Sequence, residues 1–220
     1  MAIMARRFDA VIFDMDGLLL DSERPIRDAW LRLSSLTEAD YLLTVGRNRQ
    51  DSLAVLSEKL GSVVEAERVY AAVDAEIAVQ FRDRGFELMP GALALLQRLQ
   101  SLGVPLAVAS STRHAKVLER LDAAGIRTFF GPIHGGDQVA RGKPHPDLFE
   151  LAALSLGIHP AKALVFEDSS YGAQGALTAG MGVVLVPDLK QPDPAIAPQC
   201  LVLGSLNEVP PRLPSWFRDT

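Results

Sequence analysis

The chain has 220 residues, a formal net charge of −5, 48% hydrophobic and 22% charged side chains, a globular composition that excludes a disordered chain. Its length falls between one and two full-size domains, which points to one sizeable core with a smaller appendage. The mild acidity gives no electrostatic reason to bind nucleic acid or an anionic membrane.

Residues 1–9 hold basic side chains without an apolar stretch behind them, so no secretory signal is expected there and Arg6-Arg7 reads as solvated surface. Residues 8–13 form a short apolar run that ends in Asp14-Met15-Asp16-Gly17, the pattern of a buried strand followed by a polar turn. Residues 21–86 then carry helical patterns at 23–36, 50–60 and 64–84 and no strand, which predicts an all-helical cap inserted after the first strand and placed to act as a lid. Pro90-Gly91 opens a helix over 92–102, and apolar runs at 104–109, 163–166 and 182–186 alternate with helical patterns at 115–124, 148–156 and 171–179. Short, continuously apolar strands alternating with helices predict a parallel sheet covered on both faces. The expected fold is α/β: a Rossmann-like core from 1–20 and 87–220, with the cap at 21–86. Beyond Pro187 the chain is Pro-rich, with one strand candidate at 201–203, Cys200 read as inert packing in a late strand, and a loose end. Cys200 is the single cysteine, so an intramolecular disulfide and a cysteine-rich metal cluster are excluded. No apolar run is long enough to span a bilayer, and a cytoplasmic monomer is expected.

Ligands bind open parallel sheets outside the carboxyl ends of the strands. Four polar clusters stand at such places: Asp14-Met15-Asp16-Gly17, Ser110-Ser111-Thr112, Lys143 within Gly142-Lys143-Pro144, and Glu167-Asp168. Several close carboxylates need a compensating charge to stay ionised, and a hard divalent cation such as Mg²⁺ favours oxygen ligands together with phosphate. Such an assembly suits phosphoryl transfer, in which positioning and charge neutralisation supply most of the catalysis. Taken singly, each cluster has a plain structural reading. An Asp pair caps a turn, a Ser-Ser-Thr run caps a helix, and a lone lysine is solvated. His114, His134, His145 and His159 are scattered and read as structural or surface residues. No Gly-x-Ser-x-Gly elbow or P-loop is present, which argues against serine hydrolases and nucleotide-driven machines.

Taken together and in order, the clusters resemble the haloacid dehalogenase superfamily over nearly the whole chain. Phe13-Asp14-Met15-Asp16-Gly17-Leu18-Leu19-Leu20-Asp21-Ser22-Glu23 is similar to its first motif, and Val108-Ala109-Ser110-Ser111-Thr112 to its second. The third is matched from Gly136 to Asp147 around Lys143, and the fourth by Val165-Phe166-Glu167-Asp168-Ser169. The helical insertion resembles the small cap of the sugar-phosphatase and phosphomutase branch. The resemblance implies that Asp14 is a nucleophile forming an aspartyl-phosphate and Asp16 a general acid/base. It also implies Mg²⁺ held by Asp14, the backbone carbonyl of Asp16, and Asp168, with Glu167 acting through a bound water. Ser110, Ser111 and Lys143 are implied to hold phosphate, and a small phosphorylated metabolite, a sugar or polyol phosphate, is the implied substrate. Asp16 argues against dehalogenases and phosphonatases, whose motifs lack the second aspartate. Gly46-Arg47-Asn48-Arg49-Gln50-Asp51-Ser52 resembles the specificity loop of β-phosphoglucomutase, with Arg49 on a distal phosphate; a basic loop before a helix is the equally weighted reading. Ile26 stands where that mutase carries a histidine, which favours phosphatase over phosphomutase. A non-catalytic phosphate-binding module is the reading from another class, and it predicts the loss of a nucleophile, acid or metal ligand.

Overall fold

A computed structural model describes residues 7–82 and 84–217, so Arg6 of the basic pair lies outside the described residues. The first strand, β1 (Ala10–Phe13), is followed by four helices: α1 (Glu23–Leu33), α2 (Glu38–Leu42), α3 (Arg49–Leu60) and α4 (Val63–Gln80). The chain then alternates through α5 (Ala92–Ser101), β2 (Leu106–Ser110), α6 (His114–Ala123), β3 (Ile133–Gly135), α7 (Asp147–Ser155), β4 (Ala163–Glu167), α8 (Ser170–Thr178), β5 (Gly182–Leu185), β6 (Leu201–Val202) and α9 (Leu213–Trp216). The sheet order is β3-β2-β1-β4-β5-β6, and each of these strands pairs with its neighbours in parallel.

The sequence dictates this layering. β1, β2, β4 and β5 are buried at every position, as strands must be when helices cover both faces. Alternate side chains feed two cores. Val11, Phe13, Val108 and Phe166 join the larger, which extends into the cap, while Ile12, Ala107, Ala109 and Val165 pack with Leu148, Phe149 and Ala173 of α7 and α8. In the cap, α4 packs on α1 and α3, and the Trp30 and Tyr70 rings meet edge to face at 5.1 Å. The two chain segments joining cap to core run side by side: Asp21 N–H donates to Glu87 C=O and Met89 N–H to Leu19 C=O, both at 2.9 Å, around a Leu20–Leu88 antiparallel bridge.

Two expectations need correcting. The segment up to Phe217 is not loose: Leu206, Val209, Leu213 and Trp216 are buried, and the Phe8 N–H donates to Trp216 C=O at 2.9 Å. Each of these apolar side chains falls three or four residues after the last, so successive 3₁₀ turns and α9 present one stripe to the core. Cys200 precedes β6 rather than lying in it; it is half-buried against the second core.

Candidate active site

β1 lies between β2 and β4, with Phe13 opposite both Val108 and Phe166. Asp14, Ser110 and Glu167-Asp168 therefore leave the same sheet edge as neighbours. Lys143, 1% exposed, arrives from the loop before α7. Its ammonium donates to Asp14 Oδ1 at 2.5 Å and to Glu167 Oε1 at 2.6 Å. Glu167 is fully buried, and its Oε2 accepts from the backbone N–H of Ser169 at 2.9 Å and from its hydroxyl at 2.8 Å. Asp14, Glu167 and Asp168 each bring a carboxylate oxygen within 4.8 Å of the others'.

Three carboxylates thus face one ammonium in a buried site. Burial pushes the Asp14 carboxyl up to about 8, with Lys143 opposing and Glu167 and Asp16 repelling it. Burial and the charges of Glu167 and Asp14 likewise hold Asp168 well above the usual carboxylate range. Burial acts to lower Lys143, but Asp14 and Glu167 outweigh it and hold the ammonium above its ordinary value. The donor set is hard oxygen carrying uncompensated negative charge, which fits a divalent cation such as Mg²⁺. Gly17 is part of the fit: its φ is +79°, and a Cβ there would lie 2.6 Å from Asp168 Oδ2, so the turn after Asp16 closes onto that carboxylate only with glycine.

Asp16 occupies a different environment. Oδ1 accepts from Ser22 Oγ at 2.6 Å and from an Arg120 guanidinium nitrogen at 2.5 Å, and Oδ2 accepts from Thr112 Oγ1 at 2.7 Å and Ser110 Oγ at 3.3 Å. Burial acts to raise this carboxyl, yet Arg120 and the hydroxyl donors outweigh it and hold it below its usual value. The two aspartates of one turn are thereby pushed apart, a pattern associated with acid and base assignments. The helix-cap reading of 110–112 does not hold: Asp137 Oδ1 accepts the His114 N–H at the start of α6 at 2.7 Å, while Ser111 Oγ donates to Gly46 C=O at 3.3 Å.

Between cap and sheet edge lies a cavity of about 160 Å³, walled by Asp16, Trp30, Tyr41, Tyr70 and Arg49 among others. Arg49 begins α3 and stacks on Tyr70, its guanidinium carbon 4.7 Å from the ring centroid. The structure therefore sets it on the cavity wall, apart from the Asp14–Lys143–Asp168 group. Arg47 stacks on Tyr171 of α8 at 4.4 Å and hydrogen-bonds its hydroxyl. Gly46 has φ +80°, and a Cβ there would lie 2.6 Å from Ser169 Oγ, so this loop presses on the segment after Asp168. Glu23 borders both cavity and carboxylates, accepting from Tyr41 Oη at 2.5 Å; burial lifts it to about 7, the Tyr41 bond opposing and Asp16 adding to the rise.

Sequence reasoning missed Ser22, Glu23, Thr112 and Arg120 as site residues. One signal for Arg120 was present. Arg113, Lys116 and Arg120 recur at i, i+3 and i+7, one face of a helix, and all three line the cavity.

An open parallel sheet, a carboxylate-rich edge with one buried lysine, and a helical cap after the first strand define a capped α/β hydrolase. The chain belongs to the haloacid dehalogenase-like hydrolase family, whose model matches residues 8–180. It is 34% identical to the phosphorylated carbohydrates phosphatase of Thermotoga maritima over 79% of this chain and 82% of that protein. It is 32% identical to (DL)-glycerol-3-phosphatase 1, mitochondrial, of Arabidopsis thaliana over 96% of this chain and 75% of that one. Among solved structures, β-phosphoglucomutase from Clostridium difficile superposes with a TM-score of 0.78 at 23% identity, covering 92% of this chain and 93% of that one, a likeness of fold.

Proposed function

We propose that this protein is a Mg²⁺-dependent phosphatase that hydrolyses a small sugar or polyol phosphate through an aspartyl-phosphate on Asp14. The observation that carries the reading is Lys143, fully buried and bonded at once to Asp14 and Glu167 beside Asp168. A structural role alone gives no reason to bury three carboxylates with a single ammonium, since buried charges are costly unless paired. A non-catalytic module is disfavoured because nucleophile, acid and ligand carboxylates are all present at one sheet edge.

In this reading Asp14 attacks phosphorus; the bond from phosphorus to the alcohol oxygen breaks as the Asp14 phosphoryl bond forms. Asp16 gives a proton to the departing alcohol, then takes one from the water that attacks the aspartyl-phosphate, releasing inorganic phosphate and restoring Asp14. Lys143 fixes the rotamer of Asp14 and offers a compact positive charge to the phosphoryl group. Ser110, Ser111 and backbone N–H groups at the end of β2 hold phosphate oxygens. Mg²⁺, held by Asp14, Asp168 and the Asp16 backbone carbonyl with Glu167 behind them, would supply charge neutralisation of the phosphoryl oxygens. The substrate class is supported by the two relatives named for carbohydrate and glycerol phosphates and by a cavity combining aromatic walls with carboxylates suited to hydroxyls. Hydrolysis is favoured over a mutase reaction because Ile26 gives the cavity wall an apolar side chain with no hydrogen bond to offer.

The test is phosphate release with Mg²⁺ from a panel of phosphorylated sugars and polyols and from p-nitrophenyl phosphate. Release that depends on Mg²⁺ and is lost in Asp14→Asn is expected. Folded protein that releases phosphate from none of them overturns the proposal.

A further inference from the structure

The four donors around Asp16 are not equivalent. Ser22, Ser110 and Thr112 belong to the sheet-edge motifs themselves, and a hydroxyl can rotate to accept as readily as donate. Arg120 reaches in from the second turn of α6, is mostly buried, and can only donate. A carboxylate has about four lone-pair sites, and all are occupied here. In this arrangement Asp16 can neither present a proton to a leaving oxygen nor take one from water until a donor withdraws. Arg120 and Thr112 are the donors that also line the cavity; the Thr112 hydroxyl can stay and turn to accept, so Arg120 is the one that must withdraw when a substrate binds.

We propose that Arg120 is a substrate-displaced restraint on Asp16: its guanidinium holds the carboxylate while the cavity is empty and yields it to a substrate whose hydroxyls fill the cavity. The inference rests on the phosphatase reading above and adds a positioning residue that sets specificity. Two neighbours make the exchange feasible. The Phe86 ring, on the segment returning from the cap, lies 5.0 Å from the guanidinium carbon and offers it a contact independent of Asp16. Glu23, close enough for its charge to interact with that of Arg120 and bordering the same cavity, offers a second acceptor. A small ester that leaves the cavity unfilled must break the Arg120–Asp16 bond without replacing it, and is disfavoured for that reason.

The test is Arg120→Met, which keeps an unbranched stem against Phe86, assayed as kcat/KM on p-nitrophenyl phosphate and on the best polyol or sugar phosphate of the panel. Loss of one charged hydrogen bond predicts a rise of about tenfold or more on p-nitrophenyl phosphate and a fall of about tenfold or more in preference for the larger substrate. A residue with a merely structural role does not raise a rate when removed. Arg120→Lys, which keeps the charge with fewer donors, is expected to move both quantities the same way by less, and is the variant assayed if Arg120→Met does not fold. A fall or no change on p-nitrophenyl phosphate overturns the restraint while leaving the phosphatase reading intact. Wild-type protein that releases no phosphate from any ester overturns that reading and the restraint with it.

Discussion

Burial and neighbouring carboxylates raise both the Asp14 and the Asp168 carboxyl, whereas Glu167 spends both oxygens on Lys143 and Ser169. The two residues of Glu167-Asp168 therefore have separable jobs. Asp168→Ala should weaken Mg²⁺ binding sharply, and without Mg²⁺ it should raise Tm because it removes one of the repelling carboxylates. Glu167→Ala should lose only about 10–100-fold in Mg²⁺ affinity, yet lower Tm, since it leaves a buried ammonium half paired at a cost of about 3–5 kcal/mol. Mg²⁺ titrations of activity and metal-free thermal melts separate the two; an inverted order exchanges the assignments. Asp14→Asn should abolish turnover with the fold intact, because the amide cannot form the acyl phosphate. Residual turnover beyond trace contamination would remove Asp14 from the nucleophile role. Asp14, Lys143, Glu167 and Asp168 were legible because each stands in a motif directly after or near a strand end. Arg120 was not, because its partner lies 104 positions away and its one local trace, a helix face shared with Arg113 and Lys116, does not point to Asp16.

At the scale of elements, periodic helices and continuously apolar strands were legible, whereas α2 and β3 were not. The helices α1, α3 and α4 start within one residue of their expected positions, whereas α2 spans five residues, too few for a period to register, and β3 spans three, two of them His134 and Gly135. β3 forms because β2 offers it a parallel edge, with Ser110 opposite Gly135; that is a tertiary cause with no local trace. The cap loop has a similar character. Its sequence showed two arginines after a glycine, and only packing distributes them, Arg47 onto Tyr171 of the core and Arg49 onto Tyr70 of the cap. Arg49 on the cavity wall should contact the non-reacting end of a substrate. Arg49→Ala is expected to lower kcat/KM on a sugar or polyol phosphate by roughly ten- to a hundredfold, the value of one charged hydrogen bond, and to spare p-nitrophenyl phosphate. Equal loss on both esters would move Arg49 to the reacting centre, and no loss on either would leave it a cation stacked on Tyr70 and nothing more.

At the scale of the whole molecule, the chain's end is tied to the sheet edge that bears the chemistry. Trp216 packs edge to face on Phe166, ring centroids 6.5 Å apart, and Phe166 in turn stacks on Phe13 at 5.1 Å. These two phenylalanines immediately precede Glu167 and Asp14. The Pro-rich composition after Pro187 suggested a loose end because prolines interrupt any helical period, although Pro210, Pro211 and Pro214 stand at starts of short turns where a missing N–H costs nothing. Trp216 is wholly buried, so Trp216→Ala should cost about 3–5 kcal/mol, equivalent to a fall in Tm of roughly 6–20 °C at about 2–4 °C per kcal/mol for a chain of this size. Trp216→Phe should cost clearly less, since the indole Nε1 is buried with no hydrogen-bond partner and the phenyl ring keeps most of the contact while removing an unsatisfied donor. Thermal melts of both variants, with kcat measured well below either transition, test the connection. An unchanged Tm in Trp216→Ala would detach Trp216 from the core's stability, and a Trp216→Phe as destabilised as Trp216→Ala would show that the indole contributes more than the ring contact a phenyl group retains.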